Sequence, residues 1–142
     1  MSRSRLIGLL VVTGLVLGTL GYLRDPAWLI DLQTGFRPWE RTADGTRYRW
    51  TGGHASFFVP STVTSVDVPV RTTFAPGEWP VRITVSVDDR PAAADELRDE
   101  RWHRLTFKLA GRTSRHVRRI DIHVDRTRAG NRGVAVGEVQ LR

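Results

Sequence analysis

Three side chains that can hold a metal ion or move a proton occur at alternate positions near residue 120. Asp121, His123 and Asp125 alternate with branched apolar residues, so they share one face of a predicted strand. Two carboxylates beside an imidazole suit a hard or borderline divalent cation. Successive side chains on one strand face are about 6.5–7 Å apart, which is too far for them to converge on one ion. We therefore expect these groups to pair with arginines such as Arg118 or Arg119, and we predict no metal site.

A second group combines aromatic rings with planar polar side chains. Aromatic faces pack on the apolar side of a sugar ring, while arginine and carboxylate groups bind its hydroxyls. Trp39 and Trp79 stand beside prolines in predicted loops and are expected to be exposed, whereas Trp50 and Trp102 are expected mainly in the core. Two arginines share one strand face near Trp39, and a glutamate can pair with either of them, which as a structural salt bridge would be ordinary. The predicted ligand-binding residues are Trp39, Glu40, Arg47, Arg49 and Trp79.

The sequence contains few other residues in patterns that suggest catalysis. Its remaining histidines are scattered, no serine lies in a nucleophile-elbow motif, and the chain has no cysteine for a disulfide or a thiolate metal site. We predict no catalytic residue and no cofactor. An enzyme using Asp121 and His123 is retained only as a less favoured alternative.

The elements that must position these residues are predicted to be strands. From Thr46 onward, apolar and polar residues alternate in short runs that Gly, Pro, Asp and Asn separate, which is typical of an antiparallel sandwich. We predict an all-β, two-sheet sandwich of jelly-roll or galactose-binding-like connectivity over residues 46–142. The predicted strands cover 48–51, 55–59, 65–71, 81–87, 105–109, 120–124 and 133–141, with a break at Gly52-Gly53 and a polar connection over 92–100.

A different pattern occupies the N-terminus. Leu6 to Leu23 is an uncharged run of 18 residues, long enough as a helix to cross most of a bilayer. Arg3 and Arg5 precede it, so the positive-inside rule predicts a single-pass anchor over residues 1–23 with a cytoplasmic N-terminus and a periplasmic or extracellular domain. A cleaved signal peptide is the alternative. Gly14 and Gly18 give a weak signal for a homodimer.

Residues 24–45 are predicted to form a short juxtamembrane helix and a linker. Asp25 can cap the helix, Pro26 suits its first turn, and Gly35 can end it. Trp28 is expected either at the membrane interface or against the folded domain.

Charge is unevenly distributed along the chain. Residues 24–100 contain 9 basic and 12 acidic side chains, whereas residues 101–142 contain 11 basic and 3 acidic ones. This asymmetry predicts a basic face near the C-terminal strands, which suits an anionic partner or is simply a solvated surface. Nucleic acid is a poor candidate because the domain is expected outside the cytoplasm and its aromatics are not interleaved with basic residues.

Several segments carry a family resemblance, among them GFRPWE, RYRWTGGHASFFVP, RWHRLTFKLAG and RRIDIHVDRTRAGNRGVAVGEVQLR. Together they resemble the extracytoplasmic β-sandwich domains, similar to galactose-binding domains or carbohydrate-binding modules, of bacterial membrane-anchored surface-polysaccharide proteins. Such domains are often attached to membrane glycosyltransferases. The resemblance implies a noncatalytic glycan-binding role in the cell envelope. This chain carries no multi-span transferase portion, so transferase activity does not follow.

Two main hypotheses result. The first is a membrane-anchored, noncatalytic carbohydrate-binding module that acts in cell-envelope glycan binding or assembly. The second is an accessory subunit that docks on a membrane glycosyltransferase or another envelope protein.

Overall fold

The chain folds as one apolar helix followed by a β-sandwich. The computed structural model describes residues 3–111 and 113–142. Helix α1 (Arg3–Arg24) is followed by a short 3-10 helix, Ala27–Asp31. The strands are β1 (Gln33–Phe36), β2 (Glu40–Arg41), β3 (Arg47–Pro60), β4 (Ser65–Arg71), β5 (Val81–Val87), β6 (Arg90–Leu97), β7 (His103–Lys108), β8 (Val117–Val124), β9 (Ala135–Gly137) and β10 (Gln140–Leu141).

The strands form two antiparallel sheets. Sheet A has the order β1-β3-β8-β5-β6. Sheet B has the order β2-β3-β9-β4-β7, and β10 also pairs with β4. From β3 onward the chain repeatedly crosses from one sheet to the other, which is the path of a jelly roll. The predicted fold class, an all-β two-sheet sandwich behind one N-terminal helix, is confirmed.

The core lies between the inner faces of the sheets. Alternate residues of β4, β5, β7 and β8 point inward, as their sequence alternation predicts, and each buried Val, Ile, Leu or Phe contributes about 1.5–3 kcal/mol. Both sheets contribute to a single cluster, whose members include Val66, Val68, Val70, Val81, Ile83, Val85, Leu105, Phe107, Ile120, Ile122 and Val136.

Strand β3 belongs to both sheets, and the predicted break at Gly52-Gly53 is wrong. Residues 48–50 pair with β9 in sheet B, while residues 54–60 pair with β8 in sheet A. The backbone stays extended through the glycines because Thr51 continues the pairing, its N–H donating to the Val134 carbonyl at 2.9 Å and its carbonyl accepting from Gly133 at 2.7 Å. Glycine also lets a loop approach, since a Cβ at Gly52 would lie 2.8 Å from Asn131 Nδ2.

The predicted polar connection over 92–100 is wrong, because most of this segment belongs to strand β6. It pairs with β5 at the edge of sheet A and is mostly exposed. An edge strand of this kind buries little of either face, so its sequence lacks the alternation by which strands are recognised. The predicted last strand, 133–141, is two short strands, β9 and β10.

The segment before β3 also differs from expectation. Asp25 does not cap the 3-10 helix; its carboxylate accepts a hydrogen bond from the backbone N–H of His116. Gly35 lies within β1 at φ +72°, where a Cβ would lie 2.0 Å from the His54 carbonyl oxygen, so it does not end the helix. β1 and β2 pair with β3, and the sheets therefore begin at Gln33, within the predicted linker.

Helix α1 stands apart from the core. Of the described residues, α1 contains the one stretch that is long and apolar enough to cross a bilayer, and signal sequences meet the same criterion. Its apolar side chains are exposed, with Leu15 and Leu23 66% and 67% accessible.

Candidate functional site

The outer face of sheet A, which we call face A, carries His54 and Ser56 of β3 beside Asp121 and His123 of β8. Asp121 is buried and accepts hydrogen bonds from Ser56 Oγ at 2.7 Å, Arg119 Nε at 2.8 Å and His54 Nε2 at 3.1 Å. The His54 and His123 rings stack, their centroids 4.3 Å apart. Ser56, Arg119 and His54 therefore each have a partner in Asp121, and His123 joins the cluster through ring stacking.

These contacts shape the electrostatics of face A. Burial raises the pKa of Asp121, but the hydrogen bonds from Ser56, Arg119 and His54 outweigh it and hold that pKa below its usual value. The expected pairing of this carboxylate with an arginine is confirmed for Arg119. Asp125 lies one residue beyond β8 and pairs with Arg126 at 3.1 Å, not with the side chains around Asp121.

The side chains of face A do not suit metal or nucleophile chemistry. Among the described residues, no group of three His, Cys, Asp or Glu side chains is placed to hold a metal ion. Ser56 donates directly to the carboxylate, and His54 uses one nitrogen, Nε2, toward both neighbours. A catalytic triad needs the imidazole between serine and carboxylate, with a different ring nitrogen facing each.

A second cluster surrounds Trp39, as the sequence predicts. The guanidinium carbons of Arg47 and Arg49 lie 4.9 and 4.7 Å from the Trp39 ring centre, distances typical of cation–π contacts. Trp39 is 41% exposed, which confirms its expected exposure. Arg47 also forms a 3.0 Å ion pair with Glu138.

Arg49 has a more structural position than Arg47. It is 6% exposed, it lies 3.6 Å from the centre of the Phe36 ring, and it donates to Gln33 Oε1. Burial lowers the pKa of Arg49 to about 10. Enclosed in this way, its guanidinium holds Trp39 in place, and direct contact with a ligand stays a prediction.

Glu40 does not pair with either arginine, contrary to the sequence-based expectation. It lies opposite Tyr48, and its Oε2 accepts from Tyr48 Oη at 2.9 Å and from Trp50 Nε1 at 3.3 Å. The reason is strand parity: Glu40 lies on the same side of the sheet as Tyr48 and Trp50, whereas Arg49 lies opposite Val136 on the inner side. Arg47, at the start of β3, pairs with Glu138 instead. The hydrogen bond to Glu40 raises the pKa of Tyr48.

Trp79 lies in a separate loop, after the 3-10 turn Pro76–Glu78. Contrary to its expected exposure, its ring is half-buried against the core, and its Nε1 is a buried donor with no hydrogen-bond partner among the described residues. Its neighbour Glu78 binds Arg128 at 2.8 Å. Trp79 therefore closes one end of the sandwich, and its predicted ligand contact stays a prediction.

The outer face of sheet B, which we call face B, carries Trp102 beside Tyr48 and Trp50. Trp50 is 9% exposed, as its expected burial requires, whereas Trp102 was expected mainly in the core and is not. Trp102 is 37% exposed, and its ring centre lies 6.5 Å from that of Tyr48, which in turn lies 5.8 Å from that of Trp50. Small residues form the floor between them: a Cβ at Gly137 would lie 3.7 Å from Trp102 Cζ3. This is an ordinary contact distance, and the tighter contact of such a Cβ would be with Pro69 Cβ, at 3.1 Å.

Two clefts border Trp102 on face B. The larger, of about 430 Å³, contains Arg47, Glu138 and Gln140 with Trp102 at its side. The smaller, of about 150 Å³, is lined by Tyr48, Trp50, Arg71 and Trp102. Exposed Trp102 therefore borders two recesses that carry planar hydrogen-bonding groups.

A signal for Trp102 was present in the sequence. Leu105 and Phe107 point inward, so even-numbered positions nearby, Trp102 among them, belong to the outer side. The same parity places Tyr48 and Trp50 together on the outer side of β3. Apolar character predicts the core for Trp102, whereas strand parity indicates face B.

Comparisons with known proteins give structural likeness only. No protein-family model matches the sequence, and no curated protein matches it. One similar structure holds the CBM51-2 and INT domains of Clostridium perfringens ZmpB in complex with GlcNAc, with 19% identity, a TM-score of 0.46 and coverage of 73% of this chain; this chain spans about a quarter of that one, 24%.

Two further similar structures are CBM6 modules. The C-terminal CBM6 of LamC, a laminarinase of Zobellia galactanivorans, has 9% identity and a TM-score of 0.45, covering 76% of this chain and 88% of its own. The module CBM6cm-2 of Cellvibrio mixtus lichenase 5A, in complex with cellotriose, has 12% identity and a TM-score of 0.44, covering 82% and 92%.

Proposed function

We propose that face B binds a glycan and that the protein is a membrane-anchored, noncatalytic carbohydrate-binding module of the cell envelope. The observation that carries this proposal is the exposed Trp102 indole between two clefts that contain arginine, glutamate and glutamine side chains. A pyranose ring needs an apolar platform for its C–H face and planar groups for its hydroxyls. Face B offers both within one surface.

The aromatic residues of face B are held before any ligand arrives. Glu40 fixes Tyr48 and Trp50 through their polar ends, and the Arg132 guanidinium lies 5.7 Å from the Trp50 ring centre. A platform of fixed rings loses little conformational freedom on binding, which favours affinity. Trp39 and Arg47 stand at the margin of this surface, where Arg47 lines the larger cleft.

The test is a glycan-array screen of the full chain in detergent, at low and at physiological salt. We expect salt-resistant binding to a defined glycan and a loss of about tenfold or more, equal to about 1.4 kcal/mol, in Trp102→Ala. Trp28→Ala removes a tryptophan next to α1 that is more accessible than Trp102, 54% against 37%, and is the matched control, since it should not change binding.

The other outcomes are informative as well. If Trp39→Ala abolishes binding and Trp102→Ala does not, the site is the cluster predicted from the sequence. No binding, or attachment to every polyanion that salt removes, would contradict the proposal and favour the accessory-subunit hypothesis. Co-purification with a multi-span membrane protein would then be the measurement to make.

A further inference from the structure

A basic groove lies where the sandwich meets α1. It has a volume of about 870 Å³ between the β5–β6 turn and the segment that follows β7. Its basic side chains are Arg90, Lys108, Arg115, Arg118 and Arg119, against two acidic ones, Asp88 and Asp89. We call these residues the basic groove.

The basic groove is attached to the end of the apolar helix. Arg115 Nη2 donates to the Arg24 carbonyl at 3.4 Å, and the Arg24 side chain donates to Ser114 Oγ at 3.2 Å. Arg115 also faces Asp25 at 4.0 Å. Because α1 ends at Arg24, a bilayer crossed by α1 would place its polar surface beside this groove.

The cations of the basic groove are only partly neutralised. Arg119 pairs with Asp89 and Asp121, whereas the side chains of exposed Arg90 and Lys108 have no ion pair or hydrogen bond among the described residues. Arg118 is 6% exposed and is held by the carbonyls of Ala110 and Gly111 and by Asp88, whose carboxylate lies 3.8 Å away. The charges of Arg90 and Lys108 are therefore the ones open to an anionic partner.

We propose that the basic groove binds the phosphate of an anionic phospholipid headgroup in the membrane that α1 spans. The inference rests on the anchor of the proposed function but is independent of glycan binding. Arginine and lysine are the usual partners of phosphate, and clusters of them beside a membrane helix bind anionic lipids. Headgroup binding would seat this end of the sandwich on the bilayer and leave face B as a separate surface.

The experiment uses the full chain with one added cysteine, which is unique because the sequence contains none. Ala92, an exposed residue that lines the groove, is changed to Cys and given a nitroxide label. The protein is reconstituted in vesicles of phosphatidylcholine, with or without phosphatidylglycerol. Collision of the label with a water-soluble nickel complex and with oxygen reports whether the groove is seated on the bilayer.

We expect phosphatidylglycerol to shield the label from nickel and to increase its collisions with oxygen. The double variant Arg90→Gln/Lys108→Gln should reduce the ratio of seated to free domain about 30-fold, since each cation near an anionic surface contributes separately. Arg41→Gln/Arg104→Gln removes the same charge from exposed positions on β2 and β7 and should keep the shielding. Circular dichroism verifies that both variants fold.

Three results would overturn the inference. Equal nickel access in both vesicle types would show that the groove does not bind the headgroup. Equal loss in the control variant would show a net-charge effect rather than a site. Failure of the protein to float with vesicles of either composition would instead remove the anchor on which the inference depends, whatever the outcome of the glycan screen.

Discussion

The outer faces of the two sheets carry side chains of opposite character. On face A, the polar groups Ser56, His54 and Arg119 all converge on the buried Asp121. On face B, Trp102 and its neighbours leave an aromatic surface and two clefts open to solvent. Face A contains Asp121 and His123, whose types and spacing in the sequence most suggest catalysis or metal binding. Face B contains Trp102, which the sequence predicts to lie mainly in the core.

This contrast shows that residue type alone is a poor guide to a site. A carboxylate with three donors has little remaining capacity to bind a ligand, so its contribution is to stability. An exposed indole is costly to leave in water and gains by being covered. The comparison predicts that substitutions on face A reduce stability, whereas substitutions on face B reduce binding.

The largest effect is expected for Gly35→Ala in β1, next to face A. Alanine at φ +72° is strained, and its Cβ would lie 2.0 Å from the His54 carbonyl oxygen, so β1 must separate from β3. We expect a loss of about 3 kcal/mol in the free energy of unfolding, measured by urea titration.

Gly77→Ala is the matched control, because no atom lies within 4 Å of the position of its Cβ. Its unfolding free energy should change by less than about 1 kcal/mol. If Gly35→Ala lowers the unfolding free energy as little as Gly77→Ala does, β1 does not pack closely on β3 at this position.

Asp121→Ala should have the next largest effect. It leaves the donors of Ser56, His54 and Arg119 without their acceptor, and we expect a loss of about 2 kcal/mol in unfolding free energy. Glycan binding by the folded variant should be unchanged. Asp31→Ala, at an exposed carboxylate outside the sheets, should alter stability by less than about 0.5 kcal/mol.

The pH dependence identifies the charge of Asp121 as the cause. Because the folded-state pKa of Asp121 is lowered, its contribution is present above the unfolded pKa, near 3.8, and is lost as pH falls through the lower folded value. The stability difference between the wild type and Asp121→Asn should therefore be constant near neutral pH and shrink below about pH 4. A difference that persists in acid would assign the effect to packing instead.

The smallest and most selective effect is expected for Gly137→Ala on face B. Its Cβ would lie 3.1 Å from Pro69 Cβ, so Pro69, which lines the larger cleft with Trp102, must move by a few tenths of an ångström. We expect glycan affinity to fall about threefold while unfolding free energy changes by less than about 1 kcal/mol. Unchanged affinity would mean that the floor of face B does not position Trp102.

The sequence predicted those parts of the fold that alternation reveals. β4, β5, β7 and β8 carry a buried apolar side chain at every second position, so their pattern specifies both the strand and its inner face. The sequence pattern does not reveal β6, because this strand is an exposed edge. It predicts a break within β3, because adjacent glycines usually mark a turn. In this fold the tertiary contacts override the turn preference of the glycines, since the backbone of Thr51, directly before them, is hydrogen-bonded to Val134 and Gly133.

The candidate site was only partly predictable. The contact of Trp39 with Arg47 and Arg49 follows from their proximity along the chain and a shared strand face. Trp102 approaches Tyr48 only because β7, β4, β9 and β3 lie side by side in sheet B, an order that no local pattern contains. The charge of Glu40 favours pairing with arginine, whereas strand parity places it beside Tyr48 and Trp50.

Strand β3, which runs without interruption through both sheets, also makes the domain a single mechanical unit. Neither sheet can open without disturbing the pairing of the other, so partial unfolding of one layer has no low-energy route. Amide hydrogens in the middle of β3 should exchange only when the whole domain opens, and those of β6 and β10 much sooner. Any load that α1 transmits to the sandwich would thus be shared by both layers at once.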